Sequence, residues 1–276
     1  MPASYPMIAM SKIKVAVNGA LGRMGQQALH AVVADPDLEL TAAADIKAER
    51  EHAIVPGLSK KIPLHNNLTA LIEMYHPQVV VDFTVPEAAM GAARLALKNG
   101  ACLVMGTTGL SEANLKEIGD LAQKHKKGAV VAANFAIGAI VMMHLAKVAA
   151  KYFDNAEIIE LHHDKKLDAP SGTALATARA MLQSRGRPFS YAETEKETLK
   201  GTRGGQSEGI AIHSIRLPGL VASQEVIFGA LGQTLSIRHD TINRESFMPG
   251  VILAVKEVMH VHGLVYGLDR LLKLGD

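Results

Sequence analysis

Two adjacent histidines and a nearby lysine are the residues of this sequence best suited to acid–base chemistry. His162 and His163 end a predicted strand, and Lys166 follows them on a loop. Successive side chains of a strand point to opposite faces, so we expect the two histidines to have different roles. An imidazole exchanges a proton near neutral pH, and a lysine stabilises negative charge or donates a proton when its pKa is lowered. The stretch therefore predicts a proton donor of the kind that a reductase of a C=N or C=C bond needs.

Two other interpretations of the histidine stretch are a purely structural strand end and a metal site. His162, His163 and Asp164 are consecutive, and consecutive residues rarely converge on one ion. No CxxC or HxxxH spacing supports a metal either. We therefore predict no metal site, while the structural interpretation stays open.

A predicted helix begins directly after this loop, at Ser171-Gly172-Thr173 behind Pro170. The start of a helix offers unpaired N–H groups to an anion, and the hydroxyl groups add further donors. Together with the histidines and the lysine, this helix start indicates a small substrate that carries carboxylates. We expect a capping role for Ser171 or Thr173 in any case, and capping does not exclude ligand binding.

A second candidate site lies near the start of the chain, where the apolar strand Ile13–Val17 runs into a glycine turn and a helix. Gly19 permits the tight turn, Gly22 lets a phosphate approach the backbone, and Gly25 allows close packing of helix on strand. Asp45 ends the next predicted strand, where an acid can bind the adenosine ribose. The pattern predicts a dinucleotide site, and a turn that serves packing alone is the alternative.

The elements that must position these residues alternate between strand and helix in the first half of the chain. Continuous apolar strands separated by helices predict a parallel sheet covered on both faces, in a doubly wound Rossmann-like α/β domain. In the second half, residues 210–216, 221–228 and 234–239 predict an antiparallel meander. The last predicted helix, Pro249–His262, is expected to return to the first domain. The predicted domains are 1–133 plus 247–276 for the dinucleotide and 134–246 for the substrate.

The charge and composition of the chain limit its expected partners and location. The net charge is only +2 and no long run of like charge occurs, so neither nucleic acid nor a membrane surface is an expected partner. No apolar stretch is long enough to span a bilayer, and the first residues lack the features of a secretory signal. Cys102, the single cysteine, lies in an apolar run, which indicates a buried thiol and a reducing, cytoplasmic setting.

Four motifs together resemble the 4-hydroxy-tetrahydrodipicolinate reductase (dihydrodipicolinate reductase) family. They occur in the family's order and cover both predicted domains: Gly19–Gly25 ending in GRMG, GTTG at Gly106–Gly109, AANF at Ala132–Phe135, and ELHHDKKLDAPSGTA at Glu160–Ala174. The resemblance implies reduction of a small cyclic dicarboxylate with NADH or NADPH to tetrahydrodipicolinate, in lysine and diaminopimelate biosynthesis. It also implies a homotetramer assembled through an α+β substrate domain with a mixed, largely antiparallel sheet.

The resemblance implies a role for individual residues. His162 is similar to the family's proton donor and acceptor, and Lys166 to its second catalytic residue. His163, Gly172 and Thr173 are similar to its substrate contacts. The implied cofactor contacts are Gly19, Ala20, Leu21, Gly22, Arg23, Met24, Asp45, Gly106, Thr107, Thr108, Ala132, Ala133, Asn134 and Phe135.

This sequence departs from the family's pattern where the 2′-phosphate of NADPH would bind. Some members carry arginines at the positions of Ile46 and Val85, whereas Lys47 is the nearest cation here. We therefore expect NADH to be favoured, and use of both NADH and NADPH is the alternative. Arg216, His239 and Arg244 could contact either a carboxylate or a neighbouring subunit.

Two other functions are considered. A different nicotinamide-dependent amino-acid-pathway dehydrogenase, such as a homoserine dehydrogenase, would more naturally use a lysine/aspartate pair than paired histidines. A dinucleotide sensor without turnover would need only the first domain, so the histidine, lysine and Gly-Thr constellation argues against it.

Overall fold

The computed structural model describes residues 11–55 and 61–274 of the chain. Within them the chain forms two compact units, residues 11–135 with Phe247–Lys273, and Ala136–Ser246. The strands are β1 Ile13–Asn18, β2 Leu38–Ala44, β3 His52–Ala53, β4 Ile62–His65, β5 Val79–Asp82, β6 Cys102–Met105, β7 Gly128–Val131, β8 Asn155–His162, β9 Gly205–Ser207, β10 Ile210–Arg216, β11 Ala222–Ala230, β12 Gln233–Thr241 and β13 Gly263–Tyr266. The α-helices are α1 Arg23–Ala34, α2 Leu68–Tyr75, α3 Pro86–Lys98, α4 Glu112–Lys124, α5 Ile137–Ala149, α6 Gly172–Arg185, α7 Met248–Glu257 and α8 Leu268–Leu271.

The first unit is built on one sheet in the order β13-β7-β6-β5-β1-β2-β4-β3. Every paired strand runs parallel except β3, which is antiparallel to β4. Its central strands are buried on both faces, which explains why Val15–Val17 and Val79–Val81 read as unbroken apolar runs. This architecture confirms the predicted doubly wound α/β fold. The carboxyl ends of β1, β5, β6 and β7 therefore share one edge.

The second unit is a mixed sheet in the order β12-β11-β8-β10-β9, packed with α5 and α6 around a core that includes Ile158 and Phe228. The prediction of an antiparallel meander is wrong for its first strand, because β8 lies between β10 and β11. β10 runs parallel to β8, and β11 runs antiparallel to it. The 217–221 connection between β10 and β11 crosses the end of β8, where the Leu217 N–H donates to the carbonyl oxygen of His162 at 3.1 Å.

Several element boundaries differ from the sequence prediction. The run of helix-forming residues from Ser111 to Lys127 predicts a helix over that span, but α4 ends at Lys124, since Lys126 takes a positive φ of 53° and leaves the helix. The final predicted helix stops at Glu257 rather than His262, and the chain then adds β13 to the edge of the first sheet. Strands β3 and β4 and helix α2 are short and were not predicted. These segments lie near or beyond the sheet edge and do not carry the site.

Candidate active site

The glycine turn after β1 is packed so closely that no side chain fits at Gly19 or Gly25. A Cβ on Gly25 would lie 2.1 Å from the carbonyl oxygen of Gly19, and a Cβ on Gly19 would lie 2.7 Å from that of Phe83. Gly19 also has a positive φ of 77°, which favours glycine. Gly22 is the N-cap of α1 and has no side chain that could accept an N–H group of the first turn. The turn thus leaves backbone donors and the positive end of a 12-residue helix for an anion.

Asp45 lies beside this turn, at the end of β2. One carboxylate oxygen accepts the backbone N–H of Leu21 at 2.9 Å, and the other accepts that of Lys47 at 2.9 Å. The acid is half-buried, whereas Ile46 next to it is 88% exposed. The structure therefore brings the acid and the glycine turn together, as the sequence pattern predicts.

A buried carboxylate to which the sequence analysis gave no role joins the loops of this unit. Asp82, at the end of β5, accepts the side-chain amide N–H of Asn18 at 2.7 Å. It also accepts the hydroxyl groups of Thr84 at 2.8 Å and Thr107 at 3.2 Å. Burial raises the pKa of Asp82, and the hydrogen bonds from Asn18, Thr84 and Thr107 only partly offset that effect. One carboxylate thus fixes the end of β1, the loop after β5 and the loop after β6.

The remaining predicted cofactor residues of this unit cluster at the same strand ends, and several have buried side chains. Thr107 is buried and uses its hydroxyl on Asp82 and on the Thr84 carbonyl. Phe135 is buried and packs its ring edge-on against Phe83, with 6.1 Å between ring centroids. Any contact that Thr107 or Phe135 makes with a cofactor would therefore come mainly from the backbone. Gly106 is needed for this packing, since its Cβ would lie 2.1 Å from the Phe83 ring.

In the second unit, the end of β8 places a second buried carboxylate beside His162. Glu160 has no exposed surface, and its Oε2 lies 2.5 Å from Nδ1 of His162. Arg216, on the neighbouring strand β10, donates to both carboxylate oxygens at 2.7 and 2.8 Å. The backbone N–H of Ser171 donates to Oε1 at 3.1 Å. Glu160 and His162 are two residues apart on one strand, which puts both side chains on the same face.

These contacts set the charges of the pair. Burial by itself would raise the pKa of Glu160, but hydrogen bonds from Arg216, Ser214 and His162 bring it below its ordinary value. Burial lowers the pKa of His162, the positive charges of Lys166 and Arg216 act in the same direction, and Glu160 opposes them. Glu160 is therefore an anion, and His162 is a base whose protonated form depends on that anion.

Lys166 and the start of α6 complete this cluster. Nζ of Lys166 donates to a carboxylate oxygen of Asp168 at 2.6 Å, and Arg216 donates to the backbone carbonyl of Asp168 at 2.8 Å. Ser171 caps α6 by accepting the N–H of Ala174 at 3.1 Å. A Cβ on Gly172 would meet no atom within 4 Å, so the chain's own packing does not require glycine there. The helix start is thus open next to His162 and Lys166.

The sequence analysis named His162, Lys166, Gly172 and Thr173, but gave no role to Glu160 and left Arg216 open. One feature of the sequence could have identified Glu160. An acid two residues before a histidine on the same strand must lie on the same face of the sheet as that histidine. The pairing of Glu160 with Arg216, 56 residues later, depends on the strand order, which the sequence did not reveal.

Metal ions and membranes are two further classes of partner to consider for the described residues. Within residues 11–55 and 61–274, no group of three or more His, Cys, Asp or Glu side chains is arranged to hold a metal ion. In the same part of the chain, no helix has the length and apolar character that crossing a membrane requires.

Comparison with known proteins agrees with this layout. Family models described as dihydrodipicolinate reductase, N-terminus and C-terminus, match residues 13–135 and 138–272. The chain is 51% identical to the 4-hydroxy-tetrahydrodipicolinate reductase of Dehalococcoides mccartyi over 265 residues, which is 96% of this chain and all of the relative. The same-named protein of Moorella thermoacetica is 47% identical over 96% of this chain and 99% of its own.

Solved structures show the same similarity. A dipicolinate-bound dihydrodipicolinate reductase from Paenisporosarcina sp. TG-14 is 43% identical, covers 94% of this chain and 99% of its own, and has a TM-score of 0.84. An amine dehydrogenase from Mycobacterium smegmatis, 14% identical with a TM-score of 0.67, covers 96% of this chain and 98% of its own and shares the fold alone.

Proposed function

The chain belongs to the dihydrodipicolinate reductase family, and from that premise we propose that it reduces 4-hydroxy-tetrahydrodipicolinate to tetrahydrodipicolinate with NADH or NADPH. The reaction transfers one hydride and one proton to the substrate, whose hydroxyl group leaves as water. It belongs to lysine and diaminopimelate biosynthesis, and the expected location is the cytoplasm. The observation that carries the proposal is the imidazole of His162, held by a buried carboxylate beside an open helix start.

The first unit fits a nicotinamide dinucleotide. Its glycine turn is a cradle that a Cβ would fill, and the start of α1 has no side-chain cap. When bound, NADH or NADPH supplies the hydride. We propose that the pyrophosphate lies against residues 19–24, the adenosine ribose against Asp45, and the nicotinamide half against the loops Gly106–Thr108 and Ala132–Phe135.

The second unit fits a small dicarboxylate. The N–H groups of Gly172 and Thr173 at the start of α6 are suited to one carboxylate, and His163 and Lys166 provide further donors. Lys166 pairs with Asp168 at 2.6 Å in this structure, so a substrate carboxylate would compete with Asp168 for its ammonium group. Productive binding then places the reacting ring within reach of His162.

We propose that His162 donates the proton. Its Nδ1 is engaged by Glu160, which leaves Nε2 as the nitrogen that faces a substrate. In its protonated form the ring gives up the Nε2 proton and remains a neutral imidazole that still donates from Nδ1. Lys166 stabilises negative charge on the substrate while the proton moves.

We propose that both cofactors are used, with NADH favoured. Where some relatives carry arginine, Ile46 is largely exposed and Val85 is exposed, so neither position offers a cation to a 2′-phosphate. Asp45 suits the free hydroxyls of the NADH ribose. Lys47 is exposed nearby and leaves NADPH usable.

We also propose a homotetramer assembled through the sheet of the second unit. Its edge strand β12 is mostly exposed in the single chain, including the apolar side chain of Leu235. An edge strand of nine residues presents a row of backbone N–H and C=O groups that can pair with another chain.

The decisive experiment follows the loss of absorbance of NADH, and separately of NADPH, with the substrate made in situ from pyruvate and aspartate semialdehyde by the preceding synthase. Oxidation that requires the synthase supports the proposed reaction, and the ratio of kcat/KM for the two cofactors tests the preference. Bound cofactor without synthase-dependent oxidation would reject the proposed substrate while leaving the dinucleotide site in place. An aldehyde substrate that is turned over faster would favour a dehydrogenase of another pathway.

A further inference from the structure

The carboxylate of Glu160 receives five hydrogen bonds at the end of β8, although the proposed reaction gives it no chemical step. We infer that Glu160 is the positioning residue of the site: it fixes the Nδ1–H tautomer of His162, so that Nε2 faces the substrate, and its negative charge stabilises the imidazolium that donates the proton. The kinetic part of this inference rests on the proposed function, whereas the tautomer does not.

The tautomer follows from the other partners of the carboxylate. Oε1 accepts from Arg216 Nη2 and from the N–H of Ser171, and Oε2 accepts from Arg216 Nη1 at 2.8 Å. A carboxylate with these donors on both oxygens is ionised and has no proton to share. The 2.5 Å contact between its Oε2 and Nδ1 of His162 can then only be a hydrogen bond from a protonated Nδ1.

The charge effect follows from the groups that face His162. Lys166 and Arg216 disfavour the imidazolium, and partial burial disfavours it further. Glu160 is the one group among those acting on His162 that favours it. A contacting opposite charge typically changes the ratio of the protonated to the deprotonated form of a group by about 10- to 1000-fold. Removing that charge should therefore deplete the proton-donating form without removing the imidazole.

The same carboxylate joins the other parts of the site. It fixes the N–H of Ser171 and therefore the start of α6, where Gly172 and Thr173 lie. Through Arg216, which also donates to the carbonyl of Asp168, it restrains the loop that carries Lys166. A role in charge and tautomer therefore has to be separated from a role in holding these backbone segments.

The first test uses the unaltered protein. Side-chain ¹⁵N chemical shifts of histidine, recorded above the pKa of His162 and assigned by comparison with His162→Gln, report which ring nitrogen carries the proton. We expect Nδ1 protonated and Nε2 unprotonated. A predominantly Nε2–H tautomer would overturn the inference, and this result does not depend on whether any variant folds or on which substrate is reduced.

The second test compares Glu160→Gln with Glu157→Gln. Glu157 lies on the same strand and also pairs with a histidine and an arginine, His213 and Arg203. We expect E160Q alone to lower the pKa of His162 and to reduce kcat near pH 7.5 by about 10- to 100-fold. Because the donating form is protonated, the rate of E160Q should recover as the pH is lowered, which a loss of structure alone would not produce.

These readouts separate the possible failures. An E160Q protein with a wild-type His162 titration, or with a rate that does not recover at lower pH, overturns the inference. Circular dichroism and urea unfolding check that the second unit, which carries both substitutions, is folded in each variant. If the unaltered protein shows the Nδ1–H tautomer but no synthase-dependent oxidation, the assignment of the tautomer to Glu160 stands and the proposed function fails.

Discussion

Arg216 holds Glu160 with both terminal nitrogens, at 2.7 and 2.8 Å from the two carboxylate oxygens. The Glu160 side chain is 0% exposed and that of Arg216 is 19% exposed. On the first unit, Arg94 holds Glu117 with an equally good fork at 2.6 and 2.8 Å, but those side chains are 46% and 39% exposed. These two forked ion pairs have similar geometry, but their surroundings differ.

Substitution of Arg216 by methionine should destabilise the second unit strongly. It leaves the buried carboxylate of Glu160 without its main partner, and loss of one member of a buried pair typically costs about 3 kcal/mol or more. The matched variant Arg94→Met breaks the exposed fork, which water and salt already weaken, so we expect no measurable change. Urea unfolding of both variants, followed by circular dichroism, tests the comparison. Equal losses of stability in the two variants would show that burial does not determine how much these ion pairs stabilise the protein.

Substitution of His162 by glutamine should reduce kcat by about 100- to 10,000-fold, the usual contribution of a general acid. KM should change little, because the proposed role of the imidazole is in the transition state rather than in binding. His125→Gln, at the end of α4 and outside the site, serves as the control. The synthase-coupled assay measures both parameters, and unchanged turnover in H162Q would remove His162 from the mechanism.

The sequence could predict features that lie within one short segment, but not those that depend on which strands pair. The glycine turn, the acid after β2 and the start of α6 each lie within one short segment, and residue spacing alone indicated them. The neighbours of β8 could not be predicted, because pairing of β10 with β8 depends on a connection that crosses over the end of β8. The same limitation hid the pairing of Arg216 with Glu160 and the pairing of Asn18 with Asp82, each across two strands.

Substitution of Asp82 by asparagine should change how stability depends on pH. Burial raises the pKa of Asp82, so the native state binds more protons than the unfolded chain above the ordinary pKa of 3.8. The stability of the unaltered protein therefore falls as the pH rises from about 3.8 through the raised pKa. The introduced amide carries no charge, and Asn18 can turn its own amide to accept the new N–H, so D82N should gain stability relative to the unaltered protein over that window. Unfolding midpoints between about pH 4 and pH 7 measure the difference, and a difference that is independent of pH would contradict the assignment.

Introduction of arginine at position 46 should raise the use of NADPH. Ile46 is 88% exposed directly after Asp45, so Ile46→Arg can reach a 2′-phosphate without disturbing the core. One charge-assisted hydrogen bond to a phosphate corresponds to about a tenfold gain in kcat/KM for NADPH. Ile54→Arg, at a position 68% exposed, controls for added charge. An equal gain in both variants would indicate long-range attraction rather than a phosphate contact at position 46.

Alanine substitutions at Gly25 and Gly91 should have opposite effects, because the two glycines differ in what a methyl group would meet. At Gly25 the added Cβ would lie 2.1 Å from the Gly19 carbonyl oxygen and 2.8 Å from the Ala20 Cα. The backbone of the turn must then move, which displaces the N–H groups at the start of α1 and should abolish binding of NADH. At Gly91, on the exposed side of α3, the added Cβ would meet no atom within 4 Å. Alanine there should stabilise the helix by about 0.5–1 kcal/mol and leave NADH binding unchanged. Calorimetric titration with NADH and urea unfolding of both variants test the contrast. Wild-type affinity in G25A would mean that the turn adapts to a side chain and that its close packing is not what shapes the dinucleotide site.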